Sequence, residues 1–202
     1  MLLAAKSELE YINTRLWTCA RYMYDPEQSN QRTIELLEIC ASLDFSLWDS
    51  QDAVGWTIVH RAAAFGNGRD VQKLLNLGAS SDIFDHNLRW LPIHCSARYG
   101  NKSTFDYLAS LMEASTLTAL RDSRGWTLLH LATESGSEPL ICKLLQLGLD
   151  PQEKSDASCR LIPEGLEMLE LLPIDIAKSC GNEQAYERAL KTAGYLTQLQ
   201  ET

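Results

Sequence analysis

An eight-residue stretch occurs twice, with small changes, in this chain of 202 residues. It reads GWTIVHRA at 55–62 and GWTLLHLA at 125–132. Two less similar copies occur at 89–96 (RWLPIHCS) and 170–177 (ELLPIDIA). In every copy a glycine follows six residues after the histidine, or after the aspartate that replaces it in the last copy. An internal repeat of this kind predicts a stack of similar structural units.

The distance between copies sets the size of the unit. His60 and His94 are 34 residues apart, His94 and His130 are 36 apart, and Asp175 follows His130 by 45. These spacings indicate a unit of about 33 residues with insertions. After each turn there is room for two helical turns before the glycine, and the apolar stripe at 71–75 indicates a second helix in the unit.

The pattern resembles the ankyrin repeat, whose unit is a β-turn and two antiparallel helices carrying a T-P-L-H-x-A signature. Thr57 and Thr127 match its first position, and Pro92 and Pro173 match its second, although no copy has TPLH in full. The resemblance covers residues 50–195. It implies an all-α ankyrin-repeat solenoid of stacked helix-turn-helix units with β-turn or hairpin connections.

The resemblance also suggests how the chain is divided. Residues 1–50 are interpreted as an N-terminal helical cap, a degenerate unit, and residues 51–202 as the repeat domain, which ends in a capping helix. The four units are placed at 52–85, 86–121, 122–154 and 167–195. A loop inserted at 152–168 has two interpretations, a finger that contacts a partner or a surface loop that is tolerated because extra loop length costs little entropy.

The recurring histidines do not indicate a metal site, because equivalent side chains of successive repeats lie about 10 Å apart and cannot share an ion with bonds of about 2 Å. The resemblance implies that they hydrogen-bond within their turn and to the neighbouring unit. These structural histidines are His60, His94 and His130.

The glycines that end the first helices are expected to be left-handed. They are Gly66, Gly100, Gly136 and Gly181. No metal or cofactor is expected.

A tryptophan precedes the threonine position in three units. Trp56 and Trp126 align directly, and Trp90 is aligned with a shift of one residue. In the family this turn position faces the concave surface, which predicts an aromatic and cationic groove that binds a protein. The predicted binding residues are Trp56, Trp90, Trp126, Phe65, Tyr99, Arg61, Arg98 and Arg124. A second interpretation, that each tryptophan packs over the next turn and holds the stack together, remains open.

Composition excludes several classes of function. With 18 basic and 27 acidic residues the net charge is −9, which disfavours nucleic acid as a partner. The chain has no apolar run of about 18 residues and no signal-peptide pattern, so neither a membrane nor secretion is expected. We expect a cytoplasmic location, with the nucleus as an alternative. Six scattered cysteines lack zinc spacing and are interpreted as reduced thiols.

No phosphate loop, nucleophile elbow, zinc-protease helix or paired-carboxylate pocket is recognisable, so the chain is not expected to be an enzyme. The leading hypothesis is a scaffold or adaptor that binds a partner protein through the concave surface of the repeats. A second hypothesis is that the chain is the ankyrin segment of a larger regulatory or immune-type receptor protein. A third is a small-molecule-binding or catalytic groove. The sequence does not predict the oligomeric state.

Overall fold

The computed structural model describes residues 48–156 and 170–195 of the chain. These residues contain nine helices and no strand. The helices are α1 (Ile58–Phe65), α2 (Gly68–Asn76), α3 (Pro92–Arg98), α4 (Lys102–Ser110), α5 (Ala114–Ala119), α6 (Leu128–Ser135), α7 (Glu138–Gln146), α8 (Pro173–Cys180) and α9 (Glu183–Thr192). The expected N-terminal cap, apart from residues 48–50, and most of the expected insertion lie outside the described residues.

Eight of these helices form four pairs of consecutive helices in contact, which are α1–α2, α3–α4, α6–α7 and α8–α9. The first helices of the pairs, α1, α3, α6 and α8, pack against one another in that order. In the other layer, α2 packs against α4 and α7 packs against α9. This arrangement confirms the all-α solenoid of helix pairs predicted from the sequence.

Polar side chains set where four of the nine described helices begin. The Thr57 side chain accepts a hydrogen bond from the backbone N–H of His60 at the start of α1, and Thr127 does the same at the start of α6. Asn67 and Asn101 cap the second helices α2 and α4. Such caps satisfy backbone donors that have no partner inside the helix.

The glycines that follow the first helices differ from one another. Gly100, Gly136 and Gly181 have φ of 66°, 70° and 73°, as expected for left-handed helix ends. Gly66 instead has φ −89° and ψ −152°, so the expectation of a left-handed conformation is wrong there. In this extended conformation its carbonyl accepts a hydrogen bond from Asn101 Nδ2 of the next unit at 2.7 Å.

The core lies between the two layers of helices. The stripe on the second helices is fully buried at Val71 and Leu74, and at Ile141 and Leu144 in the third unit. The first helices approach each other closely because small side chains line their contacts. These are Ala62, Ala63, Ala97, Ala132 and Ala177, all without solvent exposure. No pair buries its own stripe alone, so the units stabilise one another.

The short helix α5 (Ala114–Ala119) was not predicted from the sequence. It lies between α4 and the next turn and is anchored by Leu117, which is buried. The longer connection agrees with the spacing of 36 residues from His94 to His130.

The last described helix, α9, packs against α7 and buries Tyr186 and Ala189. Burial raises the pKa of Tyr186 well above its usual value, so the phenol stays protonated. The role of this helix as a C-terminal cap stays a prediction.

Candidate functional site

In the first and third units, an aspartate fixes the turn that precedes the first helix of the unit. Asp52 Oδ1 accepts the backbone N–H groups of Val54 and Trp56, at 3.0 and 2.9 Å. Asp122 Oδ1 accepts that of Trp126 at 3.0 Å. The sequence analysis missed this role, although the shared pattern D-x-x-G-W at 52–56 and 122–126 carries the signal. These carboxylates fix the backbone that carries each tryptophan.

The turn of the second unit is one residue longer. The equivalent aspartate, Asp85, accepts the backbone N–H of Trp90 from five positions away rather than four. Trp90 itself stands four residues before His94, as Trp56 stands before His60. The expected one-residue shift of this tryptophan is therefore wrong, because the extra residue lies on its N-terminal side. Arg89 occupies the position of Gly55 and Gly125 and has φ 55°.

Two of the three histidines connect neighbouring units. His60 Nδ1 accepts the backbone N–H of Thr57 at 3.0 Å, and its Nε2 donates to the carbonyl of Trp90 at 2.9 Å. His130 has the same arrangement, with its Nε2 donating to the carbonyl of Leu171 at 3.0 Å. Burial lowers the pKa of both imidazoles, which favours their neutral form.

His94 is bonded differently. Its Nδ1 accepts the backbone N–H of Leu91 at 3.0 Å, but its buried Nε2 has no hydrogen-bond partner among the described residues. Burial lowers the pKa of His94 to about 4. Leu91 stands where the other turns have threonine, so this turn also lacks a side-chain cap.

Trp90 lies in the interior between the second and third units. Only 7% of the residue is exposed, and its indole Nε1 donates to Asp122 Oδ2 at 3.1 Å. The expectation that Trp90 belongs to an exposed binding row is therefore wrong. For this residue the second interpretation holds, because the indole packs over the next turn and joins two units.

Three of the predicted aromatic residues meet on the surface of the first two units. The rings of Phe65 and Tyr99 are 4.7 Å apart edge to face, and the Trp56 ring lies 6.5 Å from Phe65 and 6.1 Å from Tyr99. Phe65 is 39% exposed and Tyr99 45% exposed, whereas Trp56 is partly buried. We refer to Trp56, Phe65 and Tyr99 as the aromatic cluster.

The cluster lies at the ends of the first helices. Phe65 is the last residue of α1, and Tyr99 directly follows α3. The equivalent positions of the third and fourth units carry Ser135 and Cys180. The exposed aromatic surface is therefore confined to one end of the described stack.

Trp126 stands apart from the aromatic cluster. Arg124 Cζ lies 3.8 Å from the centre of the Trp126 ring, and the His130 ring lies 6.0 Å from it. Within 48–156 and 170–195, no ring contact connects Trp126 to Tyr99 or Phe65. The predicted row of three tryptophans thus separates into a cluster, a buried residue and a distinct third position.

The predicted arginines all have carboxylate partners. Arg61 pairs with Asp52 at 2.7 Å within the first unit. Arg98 pairs with Glu134 of the third unit at 2.9 Å. The third predicted arginine pairs with the aspartate of its own turn, Arg124 with Asp122 at 2.8 Å. The surface around the cluster is therefore close to neutral rather than cationic.

The described parts of the chain offer no other obvious chemistry. No three histidine, cysteine, aspartate or glutamate residues within them are grouped so that they could hold a metal ion. None of the helices there combines the length and the apolar character needed to cross a membrane.

Comparison with known proteins agrees with the repeat geometry. Residues 59–155 match a family model described as ankyrin repeats, with three copies. Ankyrin repeat and SOCS box protein 3 of Homo sapiens is 32% identical over 90 residues, which are 45% of this chain and 17% of that protein. Alpha-latrotoxin-Lg1a of Latrodectus geometricus is 34% identical over 98 residues, which are 48% of this chain and 7% of the toxin.

The match thus spans less than a fifth of either relative. The name of the human relative and the family model both point to the ankyrin repeat, a unit that generally serves in protein–protein interaction and is generally not catalytic. With these helix pairs, capped turns and this match, residues 59–155 of the chain are ankyrin repeats.

Proposed function

We propose that this chain is a non-enzymatic scaffold or adaptor that binds a partner protein, with the aromatic cluster as the anchor of the contact. The observation that carries the proposal is the exposure of Phe65 and Tyr99 side by side, at 39% and 45%. Tyrosine and tryptophan are among the residues that most often dominate the energy of interfaces. Covering such rings removes apolar area from water.

The cluster is also held in place before any partner binds. Tyr99 has ring contacts with both Phe65 and Trp56, and Trp56 lies over His60, which is buried in the first turn. Side chains that are already ordered lose little entropy when they are covered. An anchor of this kind therefore supports binding through a rigid surface.

The remaining predicted residues take different parts in this proposal. Arg61 and Arg98 lie beside the cluster, with their guanidinium groups 5.6 and 5.9 Å from the Trp56 and Tyr99 rings. Trp126 and Arg124 supply a second contact point on the third unit. Trp90 has no direct part, because it is buried between units.

The proposal extends to a chain that acts within a longer protein. Both relatives are much longer than the region they share with this chain, which covers 17% of one and 7% of the other. A regulatory or receptor protein that contains this stack would use it as the recognition part. The binding surface would be the same in either setting.

The proposal is tested with a double variant, Phe65→Ala with Tyr99→Ala, immobilised next to the wild-type chain and exposed to extract of the source cell. The matched control is Val54→Ala with Leu111→Ala, which removes two large exposed apolar side chains outside the cluster. Circular dichroism confirms that all three chains are folded.

We expect a small set of proteins to bind the wild type and the control but not the cluster variant, as quantified by mass spectrometry. A set of proteins bound equally by all three chains would show that the cluster is not the anchor. Conversion of an added small molecule by the purified chain would contradict the non-enzymatic role.

A further inference from the structure

We propose that the partner segment recognised by the aromatic cluster is basic: an extended stretch of chain whose Lys or Arg side chain stacks on the exposed rings of Phe65 and Tyr99. This inference rests on the proposed protein-binding function and specifies its partner. It follows from the rings, from the carboxylates around them and from the charge of the whole chain.

The first step concerns the rings. Aromatic faces attract cations, and an ammonium or guanidinium group within about 6 Å of a ring centre is favourable. Arg61 and Arg98 already lie over Trp56 and Tyr99. Among the described residues, no guanidinium lies over the ring of Phe65, which is 39% exposed. Phe65 therefore offers an aromatic surface that a cation from a partner can cover.

The second step concerns the arginines beside the cluster. An acidic partner would need a guanidinium that is free to donate to its carboxylates, but Arg61 and Arg98 are already paired with Asp52 and Glu134. Asp52 cannot turn away to release Arg61, because its other oxygen holds the backbone N–H of Trp56. The pairs therefore leave the arginines poorly suited to an acidic segment.

The third step concerns charge at longer range. The chain carries 27 acidic and 18 basic residues, a net charge of −9. A field of this sign attracts basic segments and repels acidic ones before contact is made. Among the described residues, Glu134 pairs with Arg98 through Oε2 alone, so its Oε1 can accept from an incoming cation beside the arginine that lies over Tyr99.

The test uses a random linear peptide library displayed on phage, selected on the full chain and compared with selection on the Phe65→Ala, Tyr99→Ala variant. We expect the peptides that require the cluster to carry an excess of Lys and Arg. Their affinity should fall as the salt concentration rises, because screening weakens the attraction of opposite charges.

Two variants test how the cation is bound. The first separates contact with an aromatic face from simple apolar contact, and the second separates a local carboxylate from the net charge of the chain. Phe65→Leu keeps apolar bulk but removes the aromatic face, and it should weaken the selected peptides by roughly fivefold. Glu134→Gln should weaken them by roughly two- to fivefold. Its matched control is Glu138→Gln, which removes the same charge from an ion pair with Arg188 that joins α7 and α9. That control should leave their affinity nearly unchanged.

Four results would overturn the inference. Peptides that need the cluster but are acidic or lack Lys and Arg would show that the partner class is wrong, while the proposed binding surface would stand. Full binding of the peptides to Phe65→Leu would show that the aromatic ring has no role. Equal losses of affinity in Glu134→Gln and Glu138→Gln would show that the local carboxylate has none. If no peptide requires the cluster, the inference fails, and the proposed function fails with it if the cell-extract experiment is also independent of the cluster.

Discussion

The turn before α3 occupies the same place in its unit as the turns before α1 and α6, but different hydrogen bonds hold it. The first and third turns combine a glycine with positive φ, a capping threonine and a histidine bonded at both nitrogens. The second turn has Arg89, Leu91 and His94 in these places, and it is one residue longer. The comparison shows that the stack tolerates the loss of several local bonds when another contact joins the units.

That other contact is the bond from the Trp90 indole to Asp122. It joins the second and third units, where the imidazole of His94 reaches no carbonyl of the described residues. Since a repeat stack is held by contacts between neighbours, each junction needs a sufficient set of bonds but not the same set. The following predictions test how far the two kinds of turn differ.

The largest difference is expected at the glycine position. In Gly55→Ala the new Cβ would lie 2.3 Å from the backbone nitrogen of His86, at φ +88°. The left-handed conformation and the overlap together should lower the free energy of unfolding by about 3 kcal/mol or more, measured by urea denaturation. Gly78→Ala is the control, because φ is +98° but no atom lies within 4 Å. Its loss should be about 1 kcal/mol, and equal losses would contradict the role of the close contact.

Substitution of the histidines should give the next largest loss of stability. His60→Ala leaves a cavity, leaves the buried N–H of Thr57 without a partner and removes the bond to the Trp90 carbonyl that joins two units. That carbonyl keeps the N–H of Asp85. We expect a loss of about 3 kcal/mol in the free energy of unfolding. His94→Ala also leaves one N–H unpaired, that of Leu91, but it breaks no bond to a neighbouring unit among the described residues, so its loss should be smaller by about 1 kcal/mol. An equal or greater loss in His94→Ala would remove the distinction between the two turns.

Acidification should lower the stability of the folded chain strongly through His94 in the second turn. The unfolded chain protonates His94 below about pH 6.5, whereas burial lowers the pKa of His94 in the folded chain to about 4. The neutral form is therefore favoured by folding, and this contribution is complete at neutral pH and is lost as the pH falls between these two values. From about pH 7 to about pH 5 it should remove about 2 kcal/mol of stability.

The check is to compare urea denaturation of the wild type and His94→Gln at several pH values. Glutamine does not titrate, so the variant should lose less stability on acidification. The other acidic and imidazole groups titrate in both chains and largely cancel in the difference. Parallel pH profiles would show that His94 does not contribute in this way.

The smallest effect is expected at Arg89. This residue already has φ 55°, a conformation that glycine adopts without strain. Arg89→Gly loses the contact of the guanidinium with Phe84, 5.1 Å from its ring centre, and increases the freedom of the unfolded chain. We expect these terms to offset one another to within about 1 kcal/mol. A larger change in the urea midpoint in either direction would mean that this turn is more tightly determined than the comparison suggests.

The repeat made most of the fold predictable. The spacing of His60, His94 and His130 indicates the unit, and the glycines and apolar stripes indicate two helices in each one. The helix α5 was missed because its six residues form a short amphipathic segment with one buried anchor, Leu117. Gly66 was wrongly expected to be left-handed because its conformation depends on a bond from Asn101 in the next unit.

The candidate site was less predictable, because it depends on contacts between units. Sequence reasoning selected Phe65 and Tyr99, which the structure brings together, but it also placed Trp90 on the surface. The burial of Trp90 follows from its bond to Asp122, 32 residues away, which no local pattern reveals. The ion pair of Arg98 with Glu134 joins two units in the same way and makes the surface neutral.

The buried indole of Trp90 also gives this junction an optical signature. An indole enclosed in protein emits fluorescence at shorter wavelengths than one in water, and Trp90 is the least exposed of the four tryptophans in the described residues. Separation of the second and third units would expose it to water even while the helices on either side persist. A shift of emission to longer wavelengths ahead of any loss of helical circular dichroism would therefore report that the stack parts at this junction first.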